Sequence, residues 1–147
     1  MKKIKRGLTL LLVLVLSLTS MDFQMSTSIV NAETTSSKFK TIYVGDYHTA
    51  AITKSGDLYT WGWNQEGQLG NGSTKANYTP TKIMSNVKKA SVSEYSSAAI
   101  TKKGELYVWG SNVDGSLAGG TDKYILKPRK IMDNVVDVSL GRDSSAC

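Results

Sequence analysis

Reactive and metal-binding side chains are scarce in this sequence of 147 residues, which contains one histidine and one cysteine. The single cysteine, Cys147, cannot form an intramolecular disulfide, so the fold depends on its core and its hydrogen-bonded strands. The single histidine, His48, has no cysteine cluster around it, and no aspartate-rich loop supplies calcium ligands. No glycine-rich loop of the phosphate-binding kind is present either. The sequence therefore predicts no metal site and no cofactor.

A catalytic constellation is also missing from the sequence. Ser55, His48 and Asp46 are the residue types of a hydrolytic triad, but no nucleophile-elbow motif accompanies them. We expect His48 to hydrogen-bond a neighbouring turn through its ring nitrogens rather than to act as a base. The chain is therefore predicted not to be an enzyme and to have no catalytic residues.

Long hydrophobic runs are limited to one, at residues 8–18, which follows a basic stretch at residues 2–6. A membrane-spanning helix needs about 20 apolar residues, and this run has only 11. Small residues at 30–32 fit a signal-peptidase site with Glu33 after the cut, so residues 1–32 are predicted to be a secretory signal peptide. The protein is then expected outside the cell or at its surface, without stable membrane insertion after cleavage. An uncleaved anchor is the alternative, because the stretch between residues 18 and 32 is long.

A strong net charge is absent once this segment is set aside. The formal charge of +6 falls to about +3, because residues 33–147 contain 14 basic and 11 acidic residues. Their signs alternate, as in Lys54 with Asp57 and Lys103 with Glu105, which is typical of a solvated surface. The sequence therefore predicts no nucleic-acid partner.

What the sequence does contain is a repeat with a period of 48 residues. The segment AAITKSGDLYTWG at residues 50–62 returns as AAITKKGELYVWG at residues 98–110. A fixed period near this length indicates units that bury their apolar faces only against each other. After a flexible leader at residues 33–40, we divide the chain into a first repeat at 41–92, a second at 93–140 and a truncated third at 141–147. The third repeat is placed by the 48-residue offset alone, because the sequence ends before the position of a third tryptophan.

Each repeat has the pattern of about four short strands. Alternating residues from Thr41 predict the first strand, and a turn containing Gly56, repeated as Gly104, predicts a hairpin. Pro80 and Pro128 are expected at the start of a short edge strand, where a missing N–H does no harm. The prediction is an all-β fold of antiparallel β-propeller blades, with a β-solenoid as the alternative.

Three motifs in fixed order support this assignment: Gly-x-x-His-Thr-x-x-Ile at residues 45–52, Gly-x-Leu-Tyr-x-Trp-Gly at 56–62, and Asn-x-x-Gly-Gln-Leu-Gly at 64–70. Together they resemble the repeat of the regulator of chromosome condensation family, in a bacterial secreted form. The resemblance implies a propeller of about seven blades. Two repeats and the start of a third do not close such a ring. The sequence is therefore expected to be a fragment, and further blades or self-association are expected to cover its open edges.

The family pattern is not carried through every copy. Ser96 and Ser144 replace the motif histidine, which argues against chemistry by His48 in every blade. The founding member's nucleotide-exchange activity is not inferred, because fold alone does not transfer function.

Aromatic residues divide into those that repeat and those that do not. Trp61 recurs as Trp109, so we assign both to packing between adjacent sheets. Trp63 has Ser111 as its counterpart, and an aromatic residue that breaks the repeat is a better candidate for binding. The same criterion selects two tyrosines with aliphatic counterparts, Tyr78 (Leu126) and Tyr124 (Ala76).

The function predicted from these features is a secreted, non-catalytic binding module whose loops contact a protein partner. A glycan partner is the less favoured choice. The alternative function is a structural repeat segment, or spacer, in a larger cell-surface or cell-wall protein.

Overall fold

The structure is a computed structural model that describes residues 38–118, 120–141 and 145–146. The predicted signal peptide, the leader as far as residue 37, and Cys147 lie outside the described residues. Within the described part, the chain forms ten strands, one 3₁₀ turn at Val113–Gly115 and no α-helix. The prediction of an all-β fold is therefore confirmed.

The strands form two four-stranded antiparallel sheets and the beginning of a third. The first sheet consists of β1 (Phe39–Val44), β2 (His48–Thr53), β3 (Leu58–Gly62) and β4 (Asn77–Met84), paired in chain order. The second repeats this order with β5 (Val87–Val92), β6 (Ser96–Thr101), β7 (Leu106–Ser111) and β8 (Tyr124–Met132). Two short strands, β9 (Ser139–Leu140) and β10 (Ser145–Ala146), pair with each other. Each four-stranded sheet is one blade of an incomplete propeller.

The sheets divide the chain at different residues from the sequence repeats. Strand β5 falls inside the first repeat, yet it pairs with β6 in the second sheet, where Ala90 lies opposite Ala99. Strand β1 begins at Phe39, two residues before the expected start, and β9 begins at Ser139, before the expected third repeat. A period fixes the spacing of equivalent residues, but hydrogen bonding decides where within that period a sheet begins.

The hairpin turn predicted at Gly56 is present between β2 and β3. Gly56 has a φ of 95°, a left-handed conformation that glycine adopts without a Cβ clash, and Gly104 repeats it at 82°. The turn also joins the two sheets, because its carbonyl accepts a hydrogen bond from the Val87 N–H at 2.8 Å. The same bond recurs one repeat later, from the Val135 N–H to the Gly104 carbonyl, also at 2.8 Å.

The two prolines do lie in edge strands, but not at their starts. Pro80 is in the interior of β4, and Pro128 is in the interior of β8, so these strands are longer than the short segments expected. Both strands pair on one side only, and the pairing of β3 with β4 shifts register between Thr60 and Gly62. An interior proline is tolerated because an edge strand at an irregularity can leave one N–H position unpaired.

Small residues allow the two blades to pack closely. The middle of β2 contributes Ala50 and Ala51, and the middle of β6 contributes Ala98 and Ala99, all without exposed surface. At Gly45, between β1 and β2, a Cβ atom would lie 2.6 Å from the Ser93 carbonyl oxygen of the next blade. Ala50, Ala98 and Ala99 share one apolar core with larger side chains, among them Leu58, Val87, Ile100, Leu106, Trp109 and Ile125.

The two blade tryptophans differ in their burial. Trp109 has no exposed surface and fills the space between the sheets, as expected. Trp61 is only half-buried, and its ring lies 5.9 Å from that of Phe39 at an angle of 31°. The assignment of Trp61 to packing between two sheets is therefore wrong for the described residues, in which it packs against its own sheet's first strand.

Candidate functional site

An aromatic pocket lies where the turns of the two blades meet. It has a volume of about 450 Å³ and is lined by Tyr47, Trp63, Gln65, Glu66 and Tyr95. We call these five residues the junction pocket. Its volume falls within the range of roughly 300–1,000 Å³ that ligand sites occupy.

Backbone hydrogen bonds hold the turns from which the aromatic side chains of the pocket project. The Trp63 N–H donates to the Tyr47 carbonyl at 2.9 Å, and the Ser111 N–H donates to the Tyr95 carbonyl at 2.9 Å in the second blade. Gly62, with a φ of 121°, makes the first contact possible, since a Cβ there would lie 2.6 Å from the Tyr47 carbonyl oxygen. The glycine after the blade tryptophan therefore allows the Trp63 backbone to lie against the β1–β2 turn.

The aromatic side chains of the pocket reach solvent. Tyr47 is 52% exposed and Trp63 is 38% exposed, which is high for rings of this size. The Tyr47 and Tyr95 rings lie side by side, with centroids 6.0 Å apart and an interplanar angle of 32°. The carboxylate of Glu66 is the one charged group that lines the pocket.

The loop that contributes Gln65 and Glu66 is held by the side chain of Asn64, which is fully buried. Its carbonyl oxygen accepts the Leu69 N–H at 2.8 Å, and its amide donates to the carbonyls of Ser73 at 2.7 Å and Lys75 at 3.0 Å. Asn112 makes equivalent bonds in the second blade, with Leu117, Gly120 and Asp122. The asparagine motif therefore orders the loop, and Glu66 is presented from a fixed backbone.

The same loop connects the first blade to the second beneath the pocket. The carbonyl of Gln68 accepts two hydrogen bonds at 2.9 Å, one from the Trp109 indole N–H and one from the Ser97 hydroxyl. Because the Ser97 hydroxyl has one proton and gives it to Gln68, His48 Nε2 must donate its proton to Ser97 Oγ, 2.7 Å away. His48 therefore bonds a strand of the next blade, and the expectation that it bonds a neighbouring turn is wrong.

The environment of His48 keeps its ring neutral. Burial lowers the pKa of His48 from 6.5 to about 4, because the imidazolium would lose its hydration. Its Nδ1 atom has no hydrogen-bond partner among the described residues. Ser55, the other member of the set considered above, bonds the Thr53 hydroxyl at 2.8 Å and the Asp57 carboxylate at 3.3 Å. Ser55 therefore bonds its own turn and not His48, whose hydrogen bond to Ser97 makes it a structural link between the blades.

The structure places the three predicted binding residues in different surroundings. Trp63 lines the junction pocket. Tyr78 lies on edge strand β4 and is 74% exposed, whereas Tyr124 begins β8, is half-buried and has the Lys123 ammonium 5.1 Å from its ring centroid. Neither Tyr78 nor Tyr124 lines the junction pocket, so the geometry does not combine the three into one site.

Sequence reasoning missed Tyr47 and Tyr95. They occupy equivalent positions 48 residues apart, whereas the sequence criterion selected only aromatic residues that break the repeat. Their position in the chain could have identified them, because they lie in the turns before β2 and β6 and not in a strand. A repeated aromatic residue in a turn faces the end of a blade, where its ring remains accessible.

Other kinds of site were sought in the same described residues. No group of three or more histidine, cysteine, aspartate or glutamate side chains is close enough to hold a metal ion there. No helix long and apolar enough to cross a membrane occurs in that part of the chain.

The repeats match a known family. The Regulator of chromosome condensation (RCC1) repeat matches residues 55–100 and 103–147, and a second form of that repeat matches residues 39–68 and 87–116. Because these matches cover more than half of the sequence, the chain belongs to the RCC1 repeat family.

Individual relatives match over single repeats. The chain is 42% identical to the Ultraviolet-B receptor UVR8 of Arabidopsis thaliana over 48 residues, which is 33% of this chain and 11% of the receptor. It is 44% identical to human RCC1 domain-containing protein 1 over 45 residues, which is 31% of this chain and 12% of that protein. The matched region thus spans only about a tenth of either relative.

Solved structures share the blade architecture. Human WBSCR16 superimposes with a TM-score of 0.65 at 26% identity, over 70% of this chain and 28% of that one. Yeast RCC1 (Prp20) superimposes with a TM-score of 0.58 at 23% identity, over 71% of this chain and 28% of that one. The second likeness shows the fold alone, and both confirm the prediction of propeller blades.

Proposed function

We propose that this protein is a secreted, non-catalytic binding module that holds a protein partner at the junction pocket. The observation that supports it is the exposure of Tyr47 and Trp63 on turns fixed by backbone hydrogen bonds. Tryptophan and tyrosine are enriched among the few residues that dominate binding energy at protein interfaces. A turn whose backbone is fixed before binding also loses little conformational entropy when a partner arrives.

The relatives support binding as the type of activity. Prp20, the yeast protein with this fold, forms a complex with Kap60 and has binding properties to Gsp1p and histones. Blades of this architecture are therefore compatible with protein recognition. The identity of the partner is not transferred, because the present chain covers less than a third of Prp20.

Export is the second part of the proposal. It rests on the basic residues at 2–6, the apolar run at 8–18 and the small residues at 30–32. Mass spectrometry of protein recovered from the culture medium should show Glu33 as the first residue. Recovery only from the membrane fraction with residues 1–32 intact would instead identify an anchor.

Binding is tested by exchanging residues between the repeats. Trp63→Ser installs the residue found at the same position of the second blade, and Tyr78→Leu and Tyr124→Ala do the same for the other two predicted residues. Partners of the full-length secreted protein are captured by crosslinking at the producing cell's surface and quantified by mass spectrometry. We expect Trp63→Ser to weaken capture of the specific partner by roughly 30-fold, the loss of a strong interface residue.

The other two exchanges serve as matched controls. Tyr78→Leu and Tyr124→Ala are expected to retain the partner, because neither residue lines the junction pocket. Equal capture by wild-type protein and Trp63→Ser would overturn the proposed site. Loss of capture in Tyr78→Leu alone would move the binding surface to the edge strand.

A further inference from the structure

The junction pocket has a distinctive chemical composition. Its five lining residues are three aromatic rings, one carboxylate and one amide, and none of the five is basic. The faces of aromatic rings carry partial negative charge and attract cations within about 6 Å of the ring centroid. The Glu66 carboxylate adds a full negative charge to the same space. Every group lining the pocket therefore favours, or tolerates, a positively charged guest.

We infer that the junction pocket binds a cationic side chain, lysine or arginine, supplied by the protein partner. This inference rests on the proposed function and names the chemistry of the group that the partner inserts. The pocket volume of about 450 Å³ accommodates one long side chain. Tyr47 and Tyr95 form one wall, on which a flat guanidinium or an alkyl chain can rest, and Glu66 pairs with the charged end.

The same chemistry already occurs inside this protein, next to the pocket. The Lys123 ammonium lies 5.1 Å from the Tyr124 ring centroid, an intramolecular cation–π contact. Its hydrogen bond and charge interaction with Tyr124 raise the pKa of Lys123, and the charge of Glu66 adds a smaller contribution. Lys123 does not line the pocket, so the Glu66 carboxylate is available to a guest. The nearby Lys123 ammonium offsets part of the negative charge of Glu66.

A neutral guest is the main competing possibility. Exposed rings also bind uncharged apolar groups, and a protein partner could insert a leucine or a proline. The position of Glu66 decides between the two. A carboxylate at the wall of a pocket for a neutral apolar group would have to lose hydration without receiving an opposite charge.

The test compares two amino acids of nearly the same shape and different charge. The indole N–H signals of the full chain are followed by NMR during titration with Nα-acetyl-arginine amide and, separately, with Nα-acetyl-citrulline amide, its neutral isostere. We expect the arginine compound to shift the Trp63 signal and the citrulline compound to bind at least ~5-fold more weakly, as cation–π and carboxylate contacts are lost. The Trp109 signal should stay in place, because that indole is buried and bonded to Gln68.

Two variants and one further probe complete the design. Glu66→Gln should reduce the preference for arginine over citrulline. Trp63→Ser should abolish the shifts that arginine causes in the backbone amide signals of Gln65 and Glu66, followed in the same titration, while leaving the Trp109 signal intact. Equal affinity for arginine and citrulline would overturn the cationic inference but leave the proposed binding function standing. A response to tetramethylammonium without any response to arginine or lysine amides would overturn the assignment to a partner's side chain. Partner capture that survives Trp63→Ser would instead contradict the proposed function.

Discussion

The two blades have nearly the same strands, turns and asparagine-ordered loops, but they treat the blade tryptophan differently. Trp109 is fully buried, and its indole N–H bonds the Gln68 carbonyl of the preceding blade. Trp61 occupies the same place in the repeat, is half-buried, and has the Phe39 ring beside it. The difference shows that full burial of the blade tryptophan requires the loop of the blade before it.

The histidine position shows the same dependence. In the first blade, His48 reaches across to Ser97 and so connects the two sheets. In the second blade, Ser96 bonds the Ser93 hydroxyl at 2.8 Å, within its own turn. Equivalent positions therefore serve either the contact between blades or the turn within a blade, according to the size of the side chain.

The largest expected difference between the blades follows truncation of the two tryptophans. Trp109→Ala should lower the free energy of unfolding by roughly 3–5 kcal/mol, because it leaves a cavity in the shared core. Trp61→Ala should cost less, about 1–2 kcal/mol, since that ring lies outside the shared core and is already partly in water. Urea denaturation followed by circular dichroism measures both.

If Trp109→Ala does not fold, the same comparison can be made with the more conservative substitution of each tryptophan by phenylalanine. Trp109→Phe keeps most of the ring and removes the indole N–H, so it should cost ~1 kcal/mol more than Trp61→Phe. Equal losses for the two positions would contradict the role assigned to the preceding loop.

The next effect concerns pH and the one blade that contains histidine. Burial lowers the pKa of His48 from 6.5 to about 4. Between pH values of about 4 and 6.5, the unfolded chain therefore binds more protons than the folded chain. The stability that neutral His48 contributes is therefore complete above pH ~6.5 and is lost as pH falls towards about 4. The loss is on the order of 3 kcal/mol at 1.4 kcal/mol per pKa unit.

The variant His48→Gln isolates this contribution from that of the carboxylates. Glutamine can still donate an N–H towards Ser97, but it does not titrate. Unfolding free energies at several pH values across this window should decline less steeply for His48→Gln than for wild-type protein. Parallel pH profiles would mean that His48 is accessible to protons in the folded state.

The smallest effect distinguishes the ends of the two asparagine loops. Gly70 has a φ of 68°, and a Cβ atom there would lie 2.7 Å from Cδ1 of Trp109. Its counterpart Ala118 has a φ of 51° and is exposed. Gly70→Ala should therefore cost ~1–3 kcal/mol through overpacking and strain, whereas Ala118→Gly should be neutral or stabilise by up to ~1 kcal/mol. Thermal denaturation of both variants checks this, and a loss in Ala118→Gly would contradict it.

The sequence predicted those features that depend on nearby residues or on the period. The hairpin turn at Gly56, the four strands of each blade and the packing of Trp109 all follow from local patterns that occur twice. The partners of His48 could not be predicted, because Ser97 is 49 residues away and the Gln68 carbonyl is 29 residues from Ser97. A 48-residue period aligns equivalent positions, but it does not show which non-equivalent positions meet across the blades.

The candidate site was predicted only in part for a related reason. Trp63 was selected because it breaks the repeat, and the structure places it in the junction pocket. Tyr47 and Tyr95 were not singled out, although they lie in the turns before β2 and β6 and their rings line the pocket. Whether a repeated ring is buried depends on its position along the blade, which requires the sheet boundaries.

The Gln68 carbonyl accepts two hydrogen bonds from the next blade, and these bonds make the contact between successive blades asymmetric along the chain. The loop of one blade completes the interior of the blade that follows it, because its carbonyl accepts a hydrogen bond from the buried tryptophan of that blade. Removing a preceding blade would uncover the indole of its successor, whereas removing a successor would leave its predecessor's tryptophan as it was. Damage to such an array should therefore spread from the amino-terminal side towards the carboxy-terminal side, in the same order in which a ribosome supplies the blades.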